Sequence, residues 1–193
     1  ALREKIHLRP SAVAAALHAL RRSTRVNEAV ILSTCNRFEV YAVQDPDSIG
    51  AWIASLARDS ASDLASRLAL RHGKDSVKHL FAVAGGLEAQ IVGETQILGQ
   101  VKEAYEAAKR EGMTGQILNM LFQKALSVGK RVRAETKLAE TPVSISSVAV
   151  RLCEKIFGNL SARRVLVVGA GEISSLAAEH LSERGAEIRI YST

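Results

Sequence analysis

An α/β fold in two units is predicted by three observations on this 193-residue sequence. Two β-branched and aromatic runs, residues 28–34 and 38–43, lie only a few positions apart, which is the pattern of an antiparallel hairpin. From 75 to about 136 the periodicity is almost continuously helical. Residues 164–191 then read strand, glycine turn, helix, strand, the order of a parallel βαβ unit. With 47% hydrophobic residues the chain can bury one sizeable core or two small ones, so disorder and collagen-like repetition are excluded.

Taken in order, Pro10 suits a first helical position, and Val13, Leu17 and Leu20 recur at helical spacing until Arg21 and Arg22 close the segment. The hairpin follows, with Cys35 in its turn. Ser48 is placed to cap a helix through Ile49, Ile53 and Leu56. Leu68, Leu70 and His72 then alternate with Arg67, Ala69 and Arg71 at period two, as in a strand. Helix, strand, strand, helix, strand is a ferredoxin-like split βαβ order lacking its first strand. Asp75 or Ser76 is the expected cap of the helical layer, which breaks at Gly85-Gly86 and at 112–115. Pro142, among Thr141, Ser144, Ser146 and Ser147, marks the expected boundary, dividing the chain into units 1–140 and 141–193. The second unit reads helix (146–157), strand (164–168), helix (172–184), strand (187–191). Its last strand stops without the rest of a sheet, so the sequence reads as part of a longer one.

Twenty-six Lys and Arg against 20 Asp and Glu leave a net charge of +6, which favours anionic partners without selecting one. Two cysteines far apart in the chain are expected to be thiols of a reducing compartment, with the cytoplasm as the default. No apolar run approaches the roughly 18 residues that cross a bilayer, and no secretory segment opens the chain, so a soluble protein is expected. No Cys and His spacing suggests a metal site.

Gly169-Ala170-Gly171 directly follows Val165–Val168 and opens a helix, with Ser174 in place of a third glycine. A tight turn there lets backbone N–H groups at a helix N-terminus meet a pyrophosphate, so 169–174, including Glu172 and Ile173, read as a Rossmann-like dinucleotide turn. Tyr191, Ser192 and Thr193 stand where an acidic residue would grip a ribose hydroxyl, which favours NADP over NAD. Cys35 in STCNR reads either as a nucleophile or as a small buried hydrophobe. An ordinary thiol is only about 3% thiolate at pH 7, so the first reading needs a nearby cation or donor, and Arg37 shares its face of extended chain. Cys153 lies on the stripe Ile145, Val148, Ala149, Leu152, Ile156 and is expected in a core.

Residues 86–100, if helical, place Ile91, Leu98, Val101 and Tyr105 on one face and Ala89, Gly93, Gln96 and Gln100 on the other. The second face fits either a polar ligand or solvent. His79 is by default a helix histidine and only then a catalytic candidate. Lys130, Arg133 and Lys137 share a helix face that either is solvated or meets phosphates.

STCNR, His79 with Leu80-Phe81, GLEAQIVGETQILGQVKEAY, VGKRVRAET and VLVVGAGE, in this order, resemble the glutamyl-tRNA reductase family along nearly the whole chain. The resemblance implies that a cysteine thiolate attacks the ester of glutamyl-tRNA(Glu). NADPH then reduces the thioester to glutamate-1-semialdehyde for tetrapyrrole synthesis. By position, Cys35 resembles the nucleophile and His79 the histidine important for activity. Thr34, Asn36, Arg37, Ala89, Glu94, Thr95, Gln96 and Gln100 match substrate-site positions, with Arg37 expected on the glutamate side chain and Ala89 standing where the family usually has a serine. Gly169, Ala170, Gly171, Glu172, Ile173, Ser174, Ser192 and Thr193 match the NADP region. The family pattern also implies a homodimer and the downstream aminomutase as partners. Its opening strand, the rest of its NADPH domain and its helical dimerisation domain are not in this sequence, so the reduction is not expected to be completed here. Two other readings stay open: a non-catalytic tRNA-binding or regulatory module, and an NADP-dependent dehydrogenase of small metabolites.

Overall fold

The computed structural model describes residues 5–43, 46–57, 67–88, 96–136, 138 and 145–192. The elements run α1 (Pro10–Ser23), β1 (Ala29–Ser33), β2 (Phe38–Ala42), α2 (Pro46–Ala57), α3 (Lys74–Ala84), α4 (Gln96–Arg110), α5 (Gln116–Glu135), α6 (Ile145–Phe157), β3 (Arg164–Val168), α7 (Glu172–Glu183) and β4 (Glu187–Tyr191). Among these, no helix is long and apolar enough to cross a membrane.

β1 and β2 pair antiparallel from Ala29 opposite Ala42 to Ser33 opposite Phe38, as the two runs predict. β1 is buried over Ala29 to Leu32 because it lies beneath α4 and α1. The predicted stripe of α1 holds: Leu17 and Leu20 are fully buried, with Val13 packed against the same core. α3 packs on α5, and Phe122 of α5 closes the centre. Its ring stacks on Tyr105 at 5.6 Å and meets Tyr41 edge-on at 5.5 Å, two aromatic contacts that tie α4, α5 and β2 together. One capping contact is absent from the local sequence pattern: Glu28, at the foot of β1, accepts the backbone N–H of Leu118 at 2.8 Å and so satisfies an otherwise open donor in the first turn of α5.

In the second unit β3 and β4 pair parallel, with α6 and α7 packed together and a small core of Val150, Leu160, Leu181 and Ala186. The predicted spans hold here almost residue for residue. The predicted boundary at Pro142 lies outside the described residues.

Four local expectations are corrected. Residues 67–72 form no strand. Their alternation has no partner strand among the described residues, and apart from half-buried Leu68 its side chains are exposed, so the split βαβ order is not completed there. Ser48 is not a cap, because α2 starts at Pro46, whose fixed φ suits a first turn that also contains Asp47. The cap of α3 is Gly73, not Asp75 or Ser76; the helix begins at Lys74 and Asp75 sits in its first turn. Finally, α6 is rotated from its expected setting. Val148, Leu152 and Ile156 are exposed, while Val150 is buried and Cys153 packs beside it. Two apolar stripes run along that helix, and periodicity could not choose between them.

Candidate active site

The β1–β2 turn is closed from within. Thr34 donates its N–H to the Arg37 carbonyl at 2.8 Å, and its Oγ1 accepts from the N–H groups of Asn36 and Arg37 at 3.2 and 3.1 Å. A threonine that binds the two residues beyond Cys35 holds the turn in one shape and leaves Cys35 at its tip. Cys35 is exposed, which removes its reading as a buried hydrophobe. Cys153 is half-buried against the second core, as expected of a packing residue.

Glu39, which nothing in the local sequence singled out, organises the side chains beside this turn. Its Oε1 accepts from Arg37 Nη1 at 2.7 Å and lies 3.1 Å from His79 Nε2; its Oε2 accepts from the Tyr41 hydroxyl at 2.5 Å. Glu39 and Tyr41 alternate along β2 and Arg37 immediately precedes it at the same spacing, while His79 arrives from α3. A carboxylate only accepts, so the proton of this bond lies on His79 Nε2. Burial, then Glu39, push the Tyr41 phenol well above its ordinary range, so it stays a donor. The Tyr41 ring rests on Phe122, which connects the cluster rigidly to the core. Arg37 Nη2 also donates to the Glu88 carbonyl at 2.6 Å, pinning the end of the turn after α3. Beside the cluster a cleft of about 290 Å³ is lined by Arg71, Asp75, Lys78, His79, Ala82 and Glu88.

Glu39→Gln keeps the shape but removes the charge that Arg37 and His79 share, and leaves one oxygen where two accepted; its NH₂ finds an acceptor only in the Tyr41 hydroxyl. Loss of about 1–3 kcal/mol is expected, read as a lower unfolding midpoint together with a changed ¹⁵N shift at His79 Nε2. An unaltered midpoint and ring shift would show that the cluster does not form in solution.

The structure thus brings Arg37 and His79 together on one carboxylate oxygen. Gln96 and Gln100 lie in the first turns of α4, Gln96 exposed and Gln100 half-buried, and neither bonds the described residues of the cluster. Ala89, Glu94 and Thr95, like Thr193 and Lys137, lie outside the described residues, as do Ile91 and Gly93. Of the predicted apolar face of α4, Val101 and Tyr105 are buried and Leu98 is half-buried.

In the second unit Gly169 has φ +109 and donates its N–H to the Tyr191 carbonyl at 2.7 Å, which ties the turn between β3 and α7 to the end of β4. That φ is open to glycine and strained for other residues. Gly171 caps α7 without a side-chain bond, and a Cβ built there meets nothing within 4 Å, so the space beside the start of the helix is open. A pyrophosphate fits such a cradle. Ala170 and Ile173 flank it, Ser174 Oγ lies 3.4 Å from a Cβ built at Gly169, and Ser192 follows β4.

Fold and site together define a protein with an exposed, hairpin-borne thiol in a helix-rich α+β unit, joined to a unit with the glycine turn of dinucleotide-binding α/β folds. The model of the glutamyl-tRNA(Glu) reductase N-terminal domain matches residues 1–136, and that of shikimate/quinate 5-dehydrogenase matches 151–192. The chain belongs to the glutamyl-tRNA reductase family. It is 41% identical to the glutamyl-tRNA reductase of Desulfitobacterium hafniense over 99% of this chain and 44% of that one. With the Bacillus subtilis glutamyl-tRNA reductase it shares 42% identity over 95% of this chain and 42% of that one. The solved glutamyl-tRNA reductase from Methanopyrus kandleri superposes with a TM-score of 0.66 at 37% identity, covering 99% of this chain and 45% of that one. The chain therefore spans under half the length of these relatives.

Proposed function

We propose that this chain forms the thioester in the NADPH-dependent reduction of glutamyl-tRNA(Glu) to glutamate-1-semialdehyde, the entry to tetrapyrrole synthesis. The observation that carries the reading is the exposed Cys35 on a turn braced by Thr34, in a chain where Arg37 and His79 converge on Glu39. Residues 1–140 act as the catalytic unit and 141–193 as part of the NADP-binding unit. In the whole protein the partners are the tRNA, a second copy and the aminomutase that accepts the semialdehyde, and the setting is the cytoplasm.

Cys35 Sγ attacks the ester carbonyl; the carbon–oxygen bond to the tRNA breaks and a carbon–sulfur bond replaces it. His79, its Nε2 held by Glu39, has Nδ1 to take the thiol proton and return it to the departing 3′ oxygen. Arg37, with Thr34 and Asn36 beside it, orients the glutamyl carboxylate. Gln96 and Gln100, together with Ala89, Glu94 and Thr95 by their match to the family's substrate positions, are the further residues assigned to the substrate. NADPH, when bound, supplies the hydride that converts the thioester to the aldehyde and frees the thiol. The backbone of Gly169 to Ser174 would hold its pyrophosphate. Ser192 and Thr193 would hold its 2′-phosphate, where a carboxylate would repel it.

Intact-protein mass spectrometry after mixing the folded chain with glutamyl-tRNA tests the reading. A glutamyl adduct that maps to Cys35 and is removed by hydroxylamine is expected. A folded chain that never acquires it would favour a non-catalytic module.

A further inference from the structure

The cleft beside His79 has a charged approach that the thioester chemistry does not use. Between residues 67 and 79 the sequence places Arg67, Arg71, Lys74 and Lys78 against a single carboxylate, Asp75. All four cations are exposed, and none forms an ion pair with a described residue. Lys74 and Lys78 stand on one face of α3, separated by one turn and about 6 Å of rise. Arg71 lies in the segment leading into that helix. Arg71 and Lys78 line the cleft, and Lys78 is the immediate neighbour of His79.

Exposed cations that form no ion pair with a described residue and run up to a reactive group suit an anion that extends away from that group. In the reaction proposed above, on which this inference rests, one reactant has that form: the ester sits at the end of a single strand with one phosphate per nucleotide. We propose that Arg71, Lys74 and Lys78, with Arg67 beyond them, hold the phosphates of the single-stranded 3′ end of the tRNA and lead its terminal ester to Cys35 and His79. The rise between Lys74 and Lys78 is close to the step between successive phosphates of an extended strand. Asp75 and Glu88 line the same cleft. They repel phosphate but accept from ribose hydroxyls, so the sugars fall to them. Leu70 and Leu87, next to Arg71 and Glu88, are exposed and offer apolar surface to an unstacked base. α5 offers less, since Arg131 is paired with Glu135 and Arg133 is half-buried.

The test is binding of labelled tRNA(Glu) to the 193-residue chain across a range of KCl concentrations, comparing the unmodified chain with the double variant Lys74→Gln/Lys78→Gln, which keeps good helix formers. Removing two single-strand phosphate contacts should weaken binding about tenfold near 0.1 M salt and flatten the log–log salt slope by about 1.4. With tRNA trimmed of its single-stranded 3′ nucleotides, the variant should bind as the unmodified chain does. Equal binding of full-length tRNA by both chains, a penalty that persists with trimmed tRNA, or no tRNA binding at all would overturn the proposal. If Cys35 becomes glutamylated while the double variant binds normally, the phosphate strip fails and the proposed function stands. If the strip behaves as expected but no adduct forms, the proposed function fails alone.

Discussion

Cys35→Ser is expected to lower glutamyl-adduct formation at least about 10³-fold, beyond detection in a single-turnover experiment, while Cys153→Ser leaves it close to the unmodified level. The difference follows from exposure and chemistry together. A serine hydroxyl in the same turn is far less acidic than a thiol and a weaker nucleophile, so the same geometry without sulfur forms little ester. Cys153 is packed against Val150 and its neighbours in the second unit, and losing its sulfur changes packing there without touching the hairpin. Equal loss of adduct in both variants would refute Cys35 as the nucleophile. An adduct retained in Cys35→Ser and resistant to hydroxylamine would point to a different attacking group.

Gly129→Ala is expected to destabilise the first unit by about 2–3 kcal/mol, lowering its unfolding midpoint by roughly 10 °C. A Cβ at 129 would stand 2.6 Å from the carbonyl oxygen of Ala84 and 2.7 Å from Leu98 Cδ1. The first is backbone at the end of α3, so the helices must separate or the carbonyl must turn away. Helix propensity pushes the other way, since alanine is worth about 1 kcal/mol over glycine inside a helix. At Gly129 the clash outweighs that gain. At Gly99 of α4, where a Cβ meets nothing within 4 Å, the gain stands alone, and Gly99→Ala should stabilise by up to about 1 kcal/mol. Thermal unfolding of the two variants followed by circular dichroism distinguishes the cases, because the same substitution is expected to shift the midpoint in opposite directions. Two shifts of the same sign would mean that the α3–α5 contact is looser than the structure has it.

The amino-acid order by itself determined what is local. Pro10 with Val13, Leu17 and Leu20 specified α1, and the alternating runs around STCNR specified the hairpin and put Cys35 in its turn. The Val165-to-Gly171 pattern specified a strand, a glycine turn and the helix after it. Each rests on dihedral preference and periodicity within a few residues. The alternation at 67–72 carried the same local signature as a strand yet formed none, because a strand exists only where another backbone bonds to it.

Tertiary structure decided which of two equivalent choices was taken and which distant groups met. On α6 both apolar stripes satisfied the helical period, and only packing against Leu160, Leu181 and Ala186 selected the one with Val150. Glu39 read as an ordinary polar residue of β2 until α3 delivered His79 to within 3.1 Å of it. Glu28 read as the first residue of a strand until the start of α5 offered it the N–H of Leu118. A carboxylate's role is set by the donors around it, and here those donors come from positions 40 and 90 residues further along the chain. Only the folded chain brings such groups within hydrogen-bonding distance, and no periodicity in the sequence encodes their meeting.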